Sequence, residues 1–144
     1  MSLTLAIVKP DAVAAARAGA ILALLEDAGF RIRAIRMLHL SDGQAAEFYA
    51  VHRERPFYAS LVRFMTSGPC IPLVLQHEDA VTRLRRVIGA TDPAQAEAGT
   101  VRARFAESKE RNAIHASDSD ENARREIAFF FADADLIGTA RPPG

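Results

Sequence analysis

Apolar positions along this chain follow two periods, one near two and one near 3.6. Leu3 to Val8 reads as a short buried strand, and Pro10 ends it. Ala20, Ile21, Leu24, Leu25 and Ala28 recur at helical spacing and predict an amphipathic helix stopped by Gly29. Phe30, Ile32 and Ala34 alternate with Arg31 and Arg33, the pattern of a half-buried strand; the alternation slips at Ile35 and resumes through Met37, which predicts a bulge there. Ser41 or Asp42 caps a helix to about Val51, Arg55-Pro56 breaks it, and Phe57 to Met65 forms a second helix. After the turn Ser67-Gly68-Pro69, Cys70 to Leu75 is another apolar strand, with Pro72 favouring an early or edge position. Asp79 opens a helix through Ile88.

From Gly89 to Glu110 no period is visible, and a connection of that length inside a compact domain is functional or disordered. Arg111 to His115 reads as a last short strand. A strong helix start follows: Ser117 with Asp120 fits a Ser-x-x-Asp cap, Ser119 is a second candidate, and Asp118, Asp120 and Glu121 suit the positive end of a helix dipole. Ala123, Ile127 and Phe130 mark the buried stripe of that helix. Four strands with helices packed on the faces of the sheet give an α+β sandwich. One domain is expected over residues 1–144, with a core from about 3 to 131 and a C-terminal extension, 132–144, whose Arg141-Pro142-Pro143 should lie at the surface.

Composition narrows the class. The 144 residues are 49% hydrophobic and 25% charged, ordinary for a globular domain with a substantial core. No apolar run approaches the roughly 20 residues that span a bilayer, and the N-terminus lacks a signal-peptide layout, so the cytoplasm is the expected compartment. One cysteine, Cys70, excludes an intrachain disulfide framework and a cysteine-based zinc site. A formal net charge of zero argues against a chain built globally for nucleic acid or membranes. Arginine supplies 16 of the 18 basic residues, which leaves Lys9, beside Pro10 at a strand end, as a cation of a different kind.

The candidate chemistry centres on His115. It ends a short apolar run just before the capped helix, and Glu126 lies on that helix's apolar stripe. A carboxylate there needs a donor. An imidazole N–H is suitable, and such a pair fixes the tautomer and frees the other ring nitrogen to attack. Arg124, Arg125 or a helix end are the alternative partners for Glu126, with His115 then an ordinary half-buried histidine. No Gly-rich phosphate loop occurs, so any phosphate must be held by side chains: Lys9, Arg85 and Arg102 as cations and Thr91 as a hydroxyl. Phe57 is a candidate for stacking on a base, or else a core residue of the helical hairpin, and Tyr49 and His52 line the same region. Asp118 is either a helix-start carboxylate or a water-mediated contact to a phosphate-bound Mg²⁺.

These residues carry a resemblance. Asn112-Ala113-Ile114-His115-Ala116-Ser117-Asp118-Ser119 resembles the active-site segment of the nucleoside diphosphate kinase family. Lys9-Pro10-Asp11-Ala12-Val13, Arg55-Pro56-Phe57-Tyr58, Phe64-Met65-Thr66-Ser67-Gly68-Pro69, Gly89-Ala90-Thr91-Asp92-Pro93 and Gly99-Thr100-Val101-Arg102 support it in the same order, from Leu3 to about Phe131. The resemblance implies a ferredoxin-like sandwich with a four-stranded antiparallel sheet. It implies a ping-pong transfer of the γ-phosphate of a nucleoside triphosphate, typically ATP, to a nucleoside diphosphate, with broad base and sugar specificity. His115 then matches the nucleophile through Nδ1, and Glu126 the carboxylate that orients the other nitrogen. Lys9, Arg85, Thr91 and Arg102 contact phosphates, Asn112 lies near the ribose 3′-hydroxyl, Phe57 stacks on the base, and Tyr49 and Ser117 support the histidine. Mg²⁺ rides on the nucleotide's phosphates with no direct protein ligand, and the protein is a homo-oligomer, a tetramer or hexamer built from dimers.

Three positions depart from the family's pattern. Ala116 replaces a glycine after the histidine, which is tolerable only if its φ is negative. Ala14-Ala15-Ala16-Arg17 replaces a Gly-containing segment, and Arg104 replaces a common acidic residue. A non-catalytic nucleotide-binding relative and a nucleic-acid-binding module are the rival classes.

Overall fold

The structure is a computed structural model that describes residues 2–139. Its strands are β1 (Ser2–Val8), β2 (Arg31–Ile35), β3 (Ile71–His77) and β4 (Ile114–Ala116). Its helices are α1 (Pro10–Ala14), α2 (Ala18–Asp27), α3 (Asp42–Phe48), α4 (Tyr58–Met65), α5 (Ala80–Ile88), α6 (Val101–Phe105), α7 (Asp120–Phe130) and α8 (Asp133–Ile137), with short 3-10 turns at Ala50–His52 and Pro93–Gln95. The sheet order is β2-β3-β1-β4 and every pair is antiparallel, the ferredoxin-like arrangement.

From Leu5 to Val8 β1 is wholly apolar because both of its faces are covered. Ala6 and Val8 face a layer with Ile21 and Leu25 of α2 and Leu84 and Ile88 of α5. Leu5 and Ile7 face the opposite layer, with Phe48 of α3, Phe64 and Met65 of α4, and Ile127 and Phe130 of α7. Each such side chain contributes about 1.5–3 kcal/mol by leaving water, so the centre of the sheet is the rigid part of the molecule. The site is built on its margin.

Several elements differ from the sequence pattern, each for a local reason. The slip in β2 lies between Ile32 and Ala34, not at Ile35; two residues of one strand oppose one of the other, so apolar spacing alone places it too late. Pro72 takes the early position in β3 but not an edge, since β3 pairs on both sides. α3 stops at Phe48 and gives way to the 3-10 turn, and its cap is Ser41, in a capping box with Gln44. β4 begins at Ile114, three residues later than expected, because the backbone turns sharply at Ala113 (φ +75°). The stretch from Gly89 to Glu110 holds α6, capped by the Thr100 hydroxyl, and a 3-10 turn capped by Asp92; elements this short carry no readable period. α1 and α8 escaped notice for the same reason. Of the expected surface tail, Arg141-Pro142-Pro143 lies outside the described residues.

The Ala14-to-Arg17 segment closes α1 with Ala16 at φ +60°, exposed to solvent. The left-handed region costs an L-residue about 1–2 kcal/mol and glycine almost nothing. Ala16→Gly should therefore stabilise the fold by about 1 kcal/mol once the greater freedom of the unfolded glycine chain is subtracted, read as a higher urea midpoint. A lowered midpoint would show that the turn is not strained.

Candidate active site

β4 sets the direction of His115. His115 stands opposite Ile7 of β1, and paired residues of an antiparallel ladder project to the same face. The imidazole therefore lies on the Ile7 side, edge-on to Phe48 at 5.5 Å and Tyr49 at 6.0 Å between ring centroids. α7 approaches the same face. Its cap is Ser119, which accepts from the Asn122 N–H at 3.1 Å; Ser117 is released from capping and turned inward. Glu126 sits among Ala123, Ile127 and Phe130 on the buried stripe and is only 5% exposed.

Glu126 Oε1 accepts from His115 Nε2 at 2.7 Å and from Ser117 Oγ at 2.8 Å, while Arg125 reaches Oε2 at 3.6 Å. The pairing with His115 thus prevails over the arginine alternative, which survives as a longer, half-exposed contact. Burial alone would raise the Glu126 carboxyl. The His115 hydrogen bond and charge, the Ser117 hydroxyl and Arg125 outweigh it and hold the carboxyl below its ordinary value. Tyr49 is nearly fully buried and its hydroxyl has no hydrogen-bond partner. Burial, then the neighbouring Cys70 and Glu126, push its phenol far above the usual range. Its contribution to His115 is packing.

A second group forms where β1 ends. Lys9 Nζ donates to Asn112 Oδ1 at 2.8 Å, and Asn112 Nδ2 donates to the Thr91 carbonyl at 3.4 Å. The Lys9 ammonium is buried, and that burial, followed by the charge of Arg102, lowers its pKa to about 8 against the opposing pull of Asp11 and Glu110.

A third group exploits the open edge of the sheet. In the β1–β4 ladder His115 is hydrogen-bonded inward, so the carbonyls of Ile114 and Ala116 face away from β1 with no strand to meet them. Arg102 Nη2 donates to Ile114 O at 2.8 Å and Arg85 Nη1 to Ala116 O at 3.4 Å, while Arg102 Nη1 donates to Gly89 O at 3.1 Å. Arg102 Nε is buried without a partner. Burial, then Arg85, lowers Arg102 to about 10, which leaves it charged at neutral pH. Arg85, Gly89, Thr91 and Arg102 line a cleft of about 500 Å³. Gly89 is required at its wall: its φ is +87°, and a Cβ there would come within 2.5 Å of Thr100 Oγ1.

Asp118 is exposed at the start of α7 and accepts from Asn122 Nδ2 at 2.6 Å. That bond first, then the charges of Arg85 and His115, hold its carboxyl below the ordinary range. Phe57 is 48% exposed, which sets aside its reading as a hairpin core residue; its ring lies 5.4 Å from that of His52. Ala116 is not among the positive-φ residues, so the methyl group after His115 is accommodated in an ordinary strand. Arg104 is exposed on α6, its guanidinium 4.9 Å from the Phe105 ring. Sequence reasoning missed Phe48, whose ring supports His115, and Asp11, whose carboxylate accepts the Ala113 N–H at 3.1 Å. Phe48 sits on the core face of α3 like any other core aromatic, and only the fold reveals what it touches.

An α+β sandwich that combines a carboxylate-bound histidine, an arginine-lined cleft and a buried lysine at the end of β1 has the parts of a phosphoryl-transfer enzyme. The sequence model of the family described as nucleoside diphosphate kinase matches residues 2–136. The nucleoside diphosphate kinase of Chlorobium chlorochromatii is 54% identical over 95% of this chain and 98% of its own. The Aquifex aeolicus nucleoside diphosphate kinase structure superposes with a TM-score of 0.92 at 46% identity, covering 94% of this chain and 98% of that one. That of the halophilic enzyme from Halobacterium salinarum, in complex with CDP, gives 0.91 at 36% identity over 97% and 93%. The chain belongs to the nucleoside diphosphate kinase family, enzymes that pass a phosphate between nucleotides.

The Glu126 hydrogen bonds make a pH-dependent contribution to stability. The folded carboxyl is depressed below its unfolded value, so the contribution is complete above the unfolded pKa of about 4.3 and is lost as pH falls through the folded pKa. The stability difference between the parent protein and Glu126→Gln should shrink on acidification below about pH 4.5 in urea titrations. A difference that is constant with pH would show that the carboxylate charge plays no part.

Proposed function

We propose that His115 is the phosphate carrier of a ping-pong reaction. The observation that carries this reading is the 2.7 Å hydrogen bond from His115 Nε2 to a buried carboxylate that Ser117 also holds. With Nε2 committed, Nδ1 is the nitrogen with a free electron pair. Nδ1 attacks the γ-phosphorus of a nucleoside triphosphate, typically ATP; the bond to the β,γ-bridging oxygen breaks, and the diphosphate leaves with that electron pair. A second diphosphate then attacks the phosphorus with its terminal oxygen, and the P–N bond returns its electrons to the ring. Glu126 accepts the Nε2–H throughout and stabilises the positive charge that the ring gains on attack.

The other roles follow from position. Arg85, Arg102 and Thr91, which line one cleft, hold the phosphates, and Lys9, aimed by Asn112, meets the charge that develops on the leaving oxygen. Asn112 and Lys9 face the sugar's 3′-hydroxyl. Phe57, exposed beside His52, offers its ring to the base without reading base edges, which favours broad base specificity. Tyr49 supports His115 by packing against its ring, and Ser117 supports it through the Glu126 carboxylate that it shares with His115. The CDP complex of the Halobacterium salinarum relative supports a nucleoside diphosphate as ligand.

Mg²⁺ fits this site as a companion of the phosphates. Among the described residues no three acidic, histidine or cysteine side chains come together as a metal cage, while the ionised Asp118 stands near Arg85 and can hold a metal-bound water. When bound, the ion neutralises phosphate charge. No helix among the described residues is long and apolar enough to cross a membrane; the compartment proposed is the cytoplasm. The exposed Ile35 and Met37 on the edge strand β2 and the residues after it favour a homo-oligomer, a tetramer or hexamer of dimers.

Incubation with Mg²⁺ and γ-labelled ATP should place acid-labile label on the chain. The label should be absent from His115→Ala and should leave when a diphosphate is added. A labelled His115→Ala protein would place the carrier elsewhere. Lys9 supplies a pH test. Its charge is lost as pH rises through about 8, so calorimetric affinity for a nucleoside diphosphate should fall above that pH. In Lys9→Gln, affinity should be low throughout and this limb missing; the same limb in the variant would assign it to another group.

A further inference from the structure

The segment that carries the histidine contains a strained turn that the reaction scheme leaves unexplained. Ala113 has φ +75°, and the Ile114 N–H donates to the Asn112 carbonyl at 2.9 Å, two residues back. That is a γ-turn of the positive-φ kind, rare and strained for an L-residue. Its position is telling. It lies between Asn112, which aims Lys9, and His115. The chain must reverse here within three residues, so that Asn112 faces Lys9 and β4 can still pair with β1.

Residues Lys9 to Asp11 clamp the turn. The Lys9 N–H donates to Ala113 O at 2.9 Å, and Asp11 Oδ2 accepts from Ala113 N–H at 3.1 Å. With Lys9 Nζ on Asn112 Oδ1, three hydrogen bonds join two segments about a hundred residues apart in sequence. Asp11 is buried, 6% exposed, and its second oxygen has no hydrogen-bond partner. A buried carboxylate with half its acceptors idle costs stability. A residue selected for stability alone would not be built this way.

We propose that Asp11 is a positioning residue: through the Ala113 amide it holds the γ-turn that sets Asn112 and Lys9 in register with His115. This rests on the reading of His115 as the phosphate carrier. Asp11 itself touches no reacting atom. Its carboxylate also favours the charged form of Lys9, which burial opposes.

The test compares Asp11→Ala, Asp11→Asn and the double variant Asp11→Ala with Ala113→Gly, each read for kcat, KM and thermal midpoint. Asp11→Ala should lower kcat at least about 10-fold, the cost of reacting groups held out of place, and raise KM for the diphosphate by a smaller factor, because Lys9 loses its aim while Arg85, Arg102 and Thr91 are untouched. Asp11→Asn keeps an acceptor for the Ala113 N–H and should regain most of the lost kcat. In the double variant glycine relieves the strain without restoring the aim, so the midpoint should recover while kcat stays low; this variant also serves if Asp11→Ala alone does not fold. A double variant whose kcat returns with its midpoint would overturn the proposal, reducing Asp11 to strain relief. So would Asp11→Ala with parental kcat. A parent protein that never labels on His115 would bring down the carrier reading and this proposal together, whereas normal labelling with an indifferent Asp11→Ala strikes the Asp11 proposal alone.

Discussion

The hydrogen bond between His115 and Glu126 ties the edge of the sheet to the helix that covers it, and the geometry of the site follows from that bond. An ionised carboxylate at a 5% exposed position would be strongly unfavourable without partners. His115 and Ser117 supply two donors from two residues of one segment, and Arg125 adds charge from the solvent side. The partners come from both sides of the interface between β4 and α7. The ring orientation, the inward turn of Ser117 and the capping of α7 by Ser119 are therefore one solution: if Ser117 capped the helix, it could not complete the shell of Glu126.

The same strand also seats the arginines proposed to hold phosphate, because it is short and lies at an edge. An interior strand would spend its outward carbonyls on a neighbour. β4 instead offers those of Ile114 and Ala116 to Arg102 and Arg85, which places both guanidiniums within one or two residues of His115 along the strand. Covering the edge with arginines also removes a template for unwanted strand pairing. One feature of topology thus provides both the direction of the imidazole and the seat of the cations.

The sequence made the periodic elements legible and left the short ones hidden. The central strands, α2, α5 and α7 follow from apolar spacing, and Glu126 stands out because it interrupts a stripe. Candidate site residues stood out where a polar group lay on an apolar face or where a string of motifs carried a family resemblance. α1 and α6 were not legible, since five residues hold less than two turns. The turn at Ala113 was hidden for a different reason: alanine gives no sign of positive φ, and the cause lies a hundred positions away in Asp11. Phe57 read ambiguously as core or stacking residue, and its exposure is a tertiary fact.

A chain of zero net charge can still be locally cationic where it matters. Lys9 and Arg102 are both buried, both held below their ordinary pKa, and Arg102 keeps one nitrogen without a partner. In the free protein these are unfavourable arrangements, since each cation has lost water and gained only carbonyl or amide oxygens. The nearby carboxylate of Asp11 offsets the burial of Lys9 in part and is itself half satisfied. Stability has been surrendered around the site in the form of cations that lack counter-charge. On the roles proposed for Lys9 and Arg102, a polyphosphate returns it, because its oxygens supply the missing charge in a place already dry and already ordered. Positioned cations that need no reorganisation when the nucleotide arrives are worth more to phosphoryl transfer than the same cations free in solvent. The cost falls on the free fold, where the packed faces of β1 can bear it.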